Sequence, residues 1–148
     1  MKQTLKNIAI VILGIIVGMI LNIGLIILGG TIFPPSENFE PMNAMNWDFK
    51  YFIFPFLAHS IGTLSGALIV SKLSKKSSII LPLIVGLYFL LGGIYMITIL
   101  PAPMWFVLLD VILGYIPMAL LGWKLANEQW SFRLVLWAES QIIINSHL

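Results

Sequence analysis

Six side chains in this 148-residue sequence carry a carboxylate, and one of them, Asp110, stands deep inside a long apolar run. His59 and Asn22 hold comparable places in two other apolar runs, and Tyr88 and Tyr95 in a further one. Polar groups are expensive in such surroundings and mark functional sites often enough to be examined first. A carboxylate away from water either keeps a proton or finds a donor. His59 is the natural donor. A His–Asp pair can hold or relay a proton, bind a cation, take part in catalysis or ligand binding, or clasp two helices, and residue types alone leave these open. One histidine and one aspartate fall short of a metal site, for which three protein ligands are the usual minimum. There are no cysteines, so thiolate catalysis and Cys-ligated metals are excluded. No cofactor and no catalytic residue is expected. No nucleophile–base arrangement suggests an enzyme.

The elements that must position these residues are four apolar segments, at about 8–33, 51–71, 78–100 and 104–124. Each reaches about 20 residues, the length a helix needs to cross ~30 Å of hydrocarbon. Hydrophobic residues make up 59% of the chain and charged residues 9%, against about 45–50% and about 25% in a soluble domain. The predicted fold is an all-α membrane protein, with four transmembrane helices in an up-down-up-down bundle. Residues 1–126 form that domain, and 127–148 form a cytoplasmic or interfacial tail. At a rise of ~1.5 Å per residue, Asp110 lies ~10 Å past Pro103, His59 ~12 Å past Tyr51 and Asn22 ~16 Å before Phe33. All three thus belong in the outer half of the bilayer, and Tyr88 and Tyr95 extend this candidate intramembrane cluster.

Charge fixes the expected orientation. Lys2 and Lys6 precede the first span. Lys72, Lys75 and Lys76 separate the second from the third, and Lys124 and Arg133 follow the fourth. The connection 34–50 carries Glu37, Glu40, Asp48 and only Lys50, and the connection 101–103 carries no charge. The positive-inside rule puts both termini in the cytoplasm. Trp47, Tyr51 and Trp105 fall at the outer boundary and Trp123 at the inner one, as an aromatic belt would. The run from Ile8 to Phe33 is too long for a signal-peptide core, so it is expected to be a retained helix. The lysines beside spans account for the net charge of +2, and no nucleic-acid partner is expected.

Small residues recur every four positions: Gly14 and Gly18 on the first helix, Ala58, Gly62 and Gly66 on the second. Gly86 and Gly93 share a face of the third helix, and Gly114 shares one with Asp110 on the fourth. Such stripes let helix backbones approach closely in lipid. They are expected to serve packing within the chain, with a homodimer contact as the alternative. The loop 34–50, rich in Pro and Asn, is expected to be solvated and irregular. In the tail, Trp130, Leu134 and Trp137 fit one face of an interfacial helix, or a partner contact.

The stretch 54–68, FPFLAHSIGTLSGAL, resembles a motif of small, uncharacterised bacterial four-helix membrane proteins, and Leu109-Asp110-Val111 with Tyr115-Ile116-Pro117-Met118 fits the same pattern. The resemblance covers about 8–126 and implies a bacterial inner-membrane setting with no assigned activity. Gly62-Thr63-Leu64 is similar to a short stretch of fluoride-channel proteins, but the asparagine after it and an arginine early in the first span are missing. The acidic residue of small multidrug exporters is absent from the first helix. The cysteines of quinone-linked disulfide-forming proteins and the intramembrane arginines and glutamates of glutathione-using four-helix enzymes are absent too. Two expectations follow. One is a noncatalytic membrane subunit or scaffold, packing with other subunits or itself in the lipid bilayer. The other is a small proton- or cation-handling transporter using Asp110 and His59.

Overall fold

The architecture is all-helical. The computed structural model describes residues 2–35, 40–74 and 78–128. Helices α1 (Lys2–Ile32), α2 (Lys50–Leu73) and α3 (Ile80–Ile99) are followed by α4 (Met104–Glu128), and a short 3-10 turn, Ala44–Asn46, lies between α1 and α2. All four helices are long and apolar enough to cross a membrane, and no strand occurs among the described residues. In hydrocarbon no water can satisfy the backbone, so even runs rich in β-branched residues become helices.

Prolines delimit these helices. Pro34 and Pro35 follow α1, and Pro101 and Pro103 separate α3 from α4. The Pro103 carbonyl accepts the amides of Phe106 at 2.9 Å and Val107 at 3.1 Å, which starts α4. Pro82 is tolerated in the first turn of α3, where its missing N–H has no partner to lose. Pro117 acts differently. It leaves the Leu113 carbonyl without its usual i+4 donor, and α4 is interrupted as a turn at Gly114 and Tyr115.

Glycines set how closely the helices pack. A Cβ added at Gly18 would stand 2.7 Å from the Gly62 carbonyl oxygen, and one at Gly62 would stand 2.8 Å from that of Gly18. Gly14 and Gly66 repeat this, at 2.7 Å and 2.6 Å. The pairing 14 with 66 and 18 with 62 makes α1 and α2 antiparallel, backbone against backbone. On α3 a Cβ at Gly86 would stand 2.7 Å from Ala119 of α4, and Gly93 faces Tyr115, so these two helices are also antiparallel. Gly122 is not among the expected packing glycines; a Cβ added there would stand 2.6 Å from the Leu64 carbonyl oxygen and 3.0 Å from the Leu68 amide nitrogen of α2. A Cβ added at Gly114 would first meet its own helix, 2.6 Å from the Asp110 carbonyl oxygen and 3.0 Å from Oδ1.

Two clusters form the core. Ile10, Val70, Val85, Phe89 and Tyr115 meet in the middle of the bundle. Ala44, Phe52 and Phe106 meet at the end capped by the 40–50 connection. The second cluster anchors part of this connection, while Met42, Met45 and Phe49 stay exposed. Ala44 is 1% exposed, and the Trp47 indole donates to the Glu40 carbonyl at 2.9 Å. Trp47 and Trp105 pack on Phe52 at 5.7 and 5.2 Å between ring centroids. Apolar aromatic area outweighs the local Pro and Asn signals here. The outward faces are apolar as well: Ile12, Ile16, Ile20, Ile23 and Ile27 of α1 are all exposed. The expected tail face of Trp130, Leu134 and Trp137 lies outside the described residues.

Candidate functional site

The centre of the site is a three-residue polar cluster. His59 Nδ1 lies 2.9 Å from Oδ1 and 2.8 Å from Oδ2 of Asp110. The Tyr115 hydroxyl donates to Oδ2 at 2.7 Å and lies 3.0 Å from His59 Nδ1. The two rings stack at 5.5 Å with 29° between their planes. Asp110 is 4% exposed and Tyr115 1%. The carboxylate accepts two donors, one from α2 and one from its own helix. Nδ1–H of His59 is then committed to Asp110, and Nε2 is the nitrogen left for other chemistry.

Each member is held by its helix. His59 comes from the α2 face one turn before the Gly62 contact with α1. Asp110 comes from the first half of α4, where glycine at position 114 leaves space beside its carboxylate. Tyr115 lies at the interruption in α4. On an ideal helix, about 100° per residue, it would sit about 140° round from Asp110 and could not reach it. Beside the interruption its hydroxyl nevertheless meets Asp110 Oδ2, and Gly93 on α3 makes room for that hydroxyl, which a Cβ would strike. The cluster therefore ties α2, α3 and α4 together.

His59 and Asp110 also line a cavity of about 530 Å³. Its walls include Ile26, Phe52, Phe54, Ile97, Leu100 and Phe106, and its outer end includes Pro35, Ala44, Trp47, Lys50 and Tyr51. Asn22 of α1 is half-buried and lines the same cavity. Below the cluster Ala67, Val70, Val85 and Ala119 are fully buried. Ser60 Oγ and Thr63 Oγ1 on α2 are buried without a hydrogen-bond partner among the described residues.

Of the residues singled out by sequence, His59 and Asp110 thus touch, and Asn22 shares their cavity. Tyr88 and Tyr95 do not join them. Both lie on the outer surface of α3, 46% and 65% exposed, and the Tyr88 hydroxyl points to Met19 Sδ at 3.8 Å. Sequence reasoning passed over Tyr115, whose only signal was a tyrosine two residues before an in-span proline. No group of three or more His, Cys, Asp or Glu residues with metal-binding geometry occurs among the described residues. No protein-family model, curated protein or solved structure matches this chain.

Proposed function

We propose that this chain is a small multi-pass protein of a bacterial inner (plasma) membrane, acting as a noncatalytic subunit or scaffold. It would pack with other membrane subunits or with a second copy of itself. In this reading the spans run up-down-up-down with both termini in the cytoplasm, as the lysine distribution asks. The bacterial setting rests on the resemblance carried by residues 54–68 and 109–118.

The observation that carries the reading is how the polar cluster is used. Asp110, Tyr115 and His59 Nδ1 spend their hydrogen bonds on one another. The fully buried Ala67, Val70, Val85 and Ala119 pack below the cluster, and Ser71 spends its hydroxyl on the Ala67 carbonyl of its own helix. That is the arrangement of a clasp, which fixes helix positions and so fixes the lipid-facing surface offered to partners. Native purification tests it: a stoichiometric membrane partner, or a homodimer stable in mild detergent, is the expected result. A monodisperse monomer without partners would overturn it.

A second reading has one observation in its favour. His59 lines the cavity, and its Nε2 carries no hydrogen bond to any described residue. An imidazole oriented by a carboxylate, with its far nitrogen open, is a competent proton acceptor. Proton or cation flux in proteoliposomes that disappears in Asp110→Asn would support handling of ions by this pair.

A further inference from the structure

We infer that the cavity above His59 and Asp110 is a binding site for a neutral, membrane-dissolved ligand: a planar ring bearing carbonyl or hydroxyl oxygens, of the quinone or quinol class. The inference rests on reading the helices as membrane spans.

The polar groups of the cavity divide into two kinds. Lys50, at the outer end, is already engaged: its Nζ lies 3.7 Å from Asp48 Oδ2 and 5.0 Å from the centroid of the Tyr51 ring. It does not call for an anionic head group. Deeper in, two groups have no partner among the described residues: the Asn22 amide and His59 Nε2. An amide in a membrane span normally finds a hydrogen bond, because leaving one unmade there is costly. Asn22 finds none on a neighbouring helix, although Gly62 passes so close that its added Cβ would stand 3.2 Å from Asn22 Cβ. The space both groups share is the cavity. A ligand oxygen there can accept from the amide, and a hydroxyl can donate to Nε2, so the inner end of the ligand is oxygenated and uncharged.

The walls select the rest of the molecule. Phe33, Phe52, Phe54 and Phe106 line the cavity, and rings of this kind favour a flat partner through stacked and edge contacts. A volume of about 530 Å³ suits a ring system with a short tail. Access is from the side. Ile26 and Gly30 of α1 and Met96 of α3 line the cavity and are exposed, so the cavity opens between these two helices.

Gly30 lines the cavity, and a Cβ added there meets nothing within 4 Å, so the first carbon of Gly30→Phe enters without a clash; an unchanged unfolding midpoint checks that this variant keeps the fold. Full-length protein in nanodiscs would be titrated with 2-methyl-1,4-naphthoquinone, reading tryptophan quenching against empty nanodiscs; Trp47 lines the cavity. Saturable binding is expected, abolished by Gly30→Phe and weakened about tenfold by Asn22→Leu, the loss of one hydrogen bond. Linear partitioning, equal in wild type and both variants, would overturn the site. Competition by decan-1-ol as effective as the naphthoquinone would overturn the ring assignment. Failure of the chain to insert into nanodiscs would instead overturn the membrane reading beneath it.

Discussion

Replacing glycine by alanine should change stability with opposite signs at the packed positions Gly18 and Gly62 and at the exposed positions Gly24 and Gly92. At Gly18 the added Cβ would stand 2.7 Å from both the Gly62 carbonyl oxygen and Phe89 Cζ. Ordinary contact begins near 3.4 Å, so α1 and α2 must separate by about 0.7 Å at this point, or the clash is held as strain. Gly62 reproduces the problem from the other side at 2.8 Å. Overpacking of this size costs about 1–3 kcal/mol, while alanine returns about 1 kcal/mol of helix propensity. Gly18→Ala and Gly62→Ala should therefore be destabilising by up to about 2 kcal/mol, and Gly62→Leu by more. Gly24 and Gly92 are exposed and meet nothing within 4 Å. There only the propensity gain remains, so Gly24→Ala and Gly92→Ala should stabilise by up to about 1 kcal/mol. Thermal unfolding of the four variants in one detergent measures the pattern. Gly18→Ala with Gly62→Ala should cost less than the sum, because one separation of the helices admits both methyls. Four changes of the same sign would refute the argument that contact with α2, not glycine content, sets the stability of α1.

The polar residues yield further expectations. Tyr115→Phe removes the donor to Asp110 Oδ2 from a fully buried position and should cost about 1–3 kcal/mol in thermal or denaturant unfolding. Thr63→Val deletes a buried hydroxyl that has no partner among the described residues and keeps the side chain's shape, so equal or higher thermal stability is expected. Asp110→Asn keeps a hydrogen-bonding group beside His59 and should leave the fold intact, whereas Asp110→Leu strands both His59 and Tyr115 and should lower the unfolding midpoint markedly. Reporter fusions should place residue 42 outside the cytoplasm and residues 75 and 127 inside; a cytoplasmic signal at 42 would refute the orientation.

How much of this was legible in the sequence depends on the range over which each signal acts. Helix existence is local. Apolar runs bounded by Pro34, Pro101 and Pro103 specify α1, α3 and the start of α4 without reference to neighbours. The described helices reach beyond the apolar runs at several ends, as at Lys2 and Glu128, because polar residues continue a helix once it leaves the hydrocarbon. The glycine stripes were legible as close contacts because spacing by four puts residues on one face, but which helix each would meet was not. Gly114 carried the same spacing and serves Asp110 within its own helix. In the connection 40–50 most residues are exposed, as its composition suggests, but the anchoring of Ala44 and Trp47 by aromatic rings from α2 and α4 is a long-range contact that composition does not report.

The polar cluster marks where local reasoning stops. Depth alone put Asp110, His59, Asn22, Tyr88 and Tyr95 at similar levels, but depth says nothing of rotation about the helix axis. Tyr88 and Tyr95 are seven residues apart and so share a face, and that face of α3 looks outward. Tyr115 was hidden by the opposite error. An ideal α4 would set it about 140° round from Asp110, yet beside the interruption that precedes Pro117 its hydroxyl lies 2.7 Å from Oδ2. Tyr115 and His59, from two helices, thus act on one carboxylate, which fixes His59 Nδ1 and leaves Nε2 without a partner among the described residues.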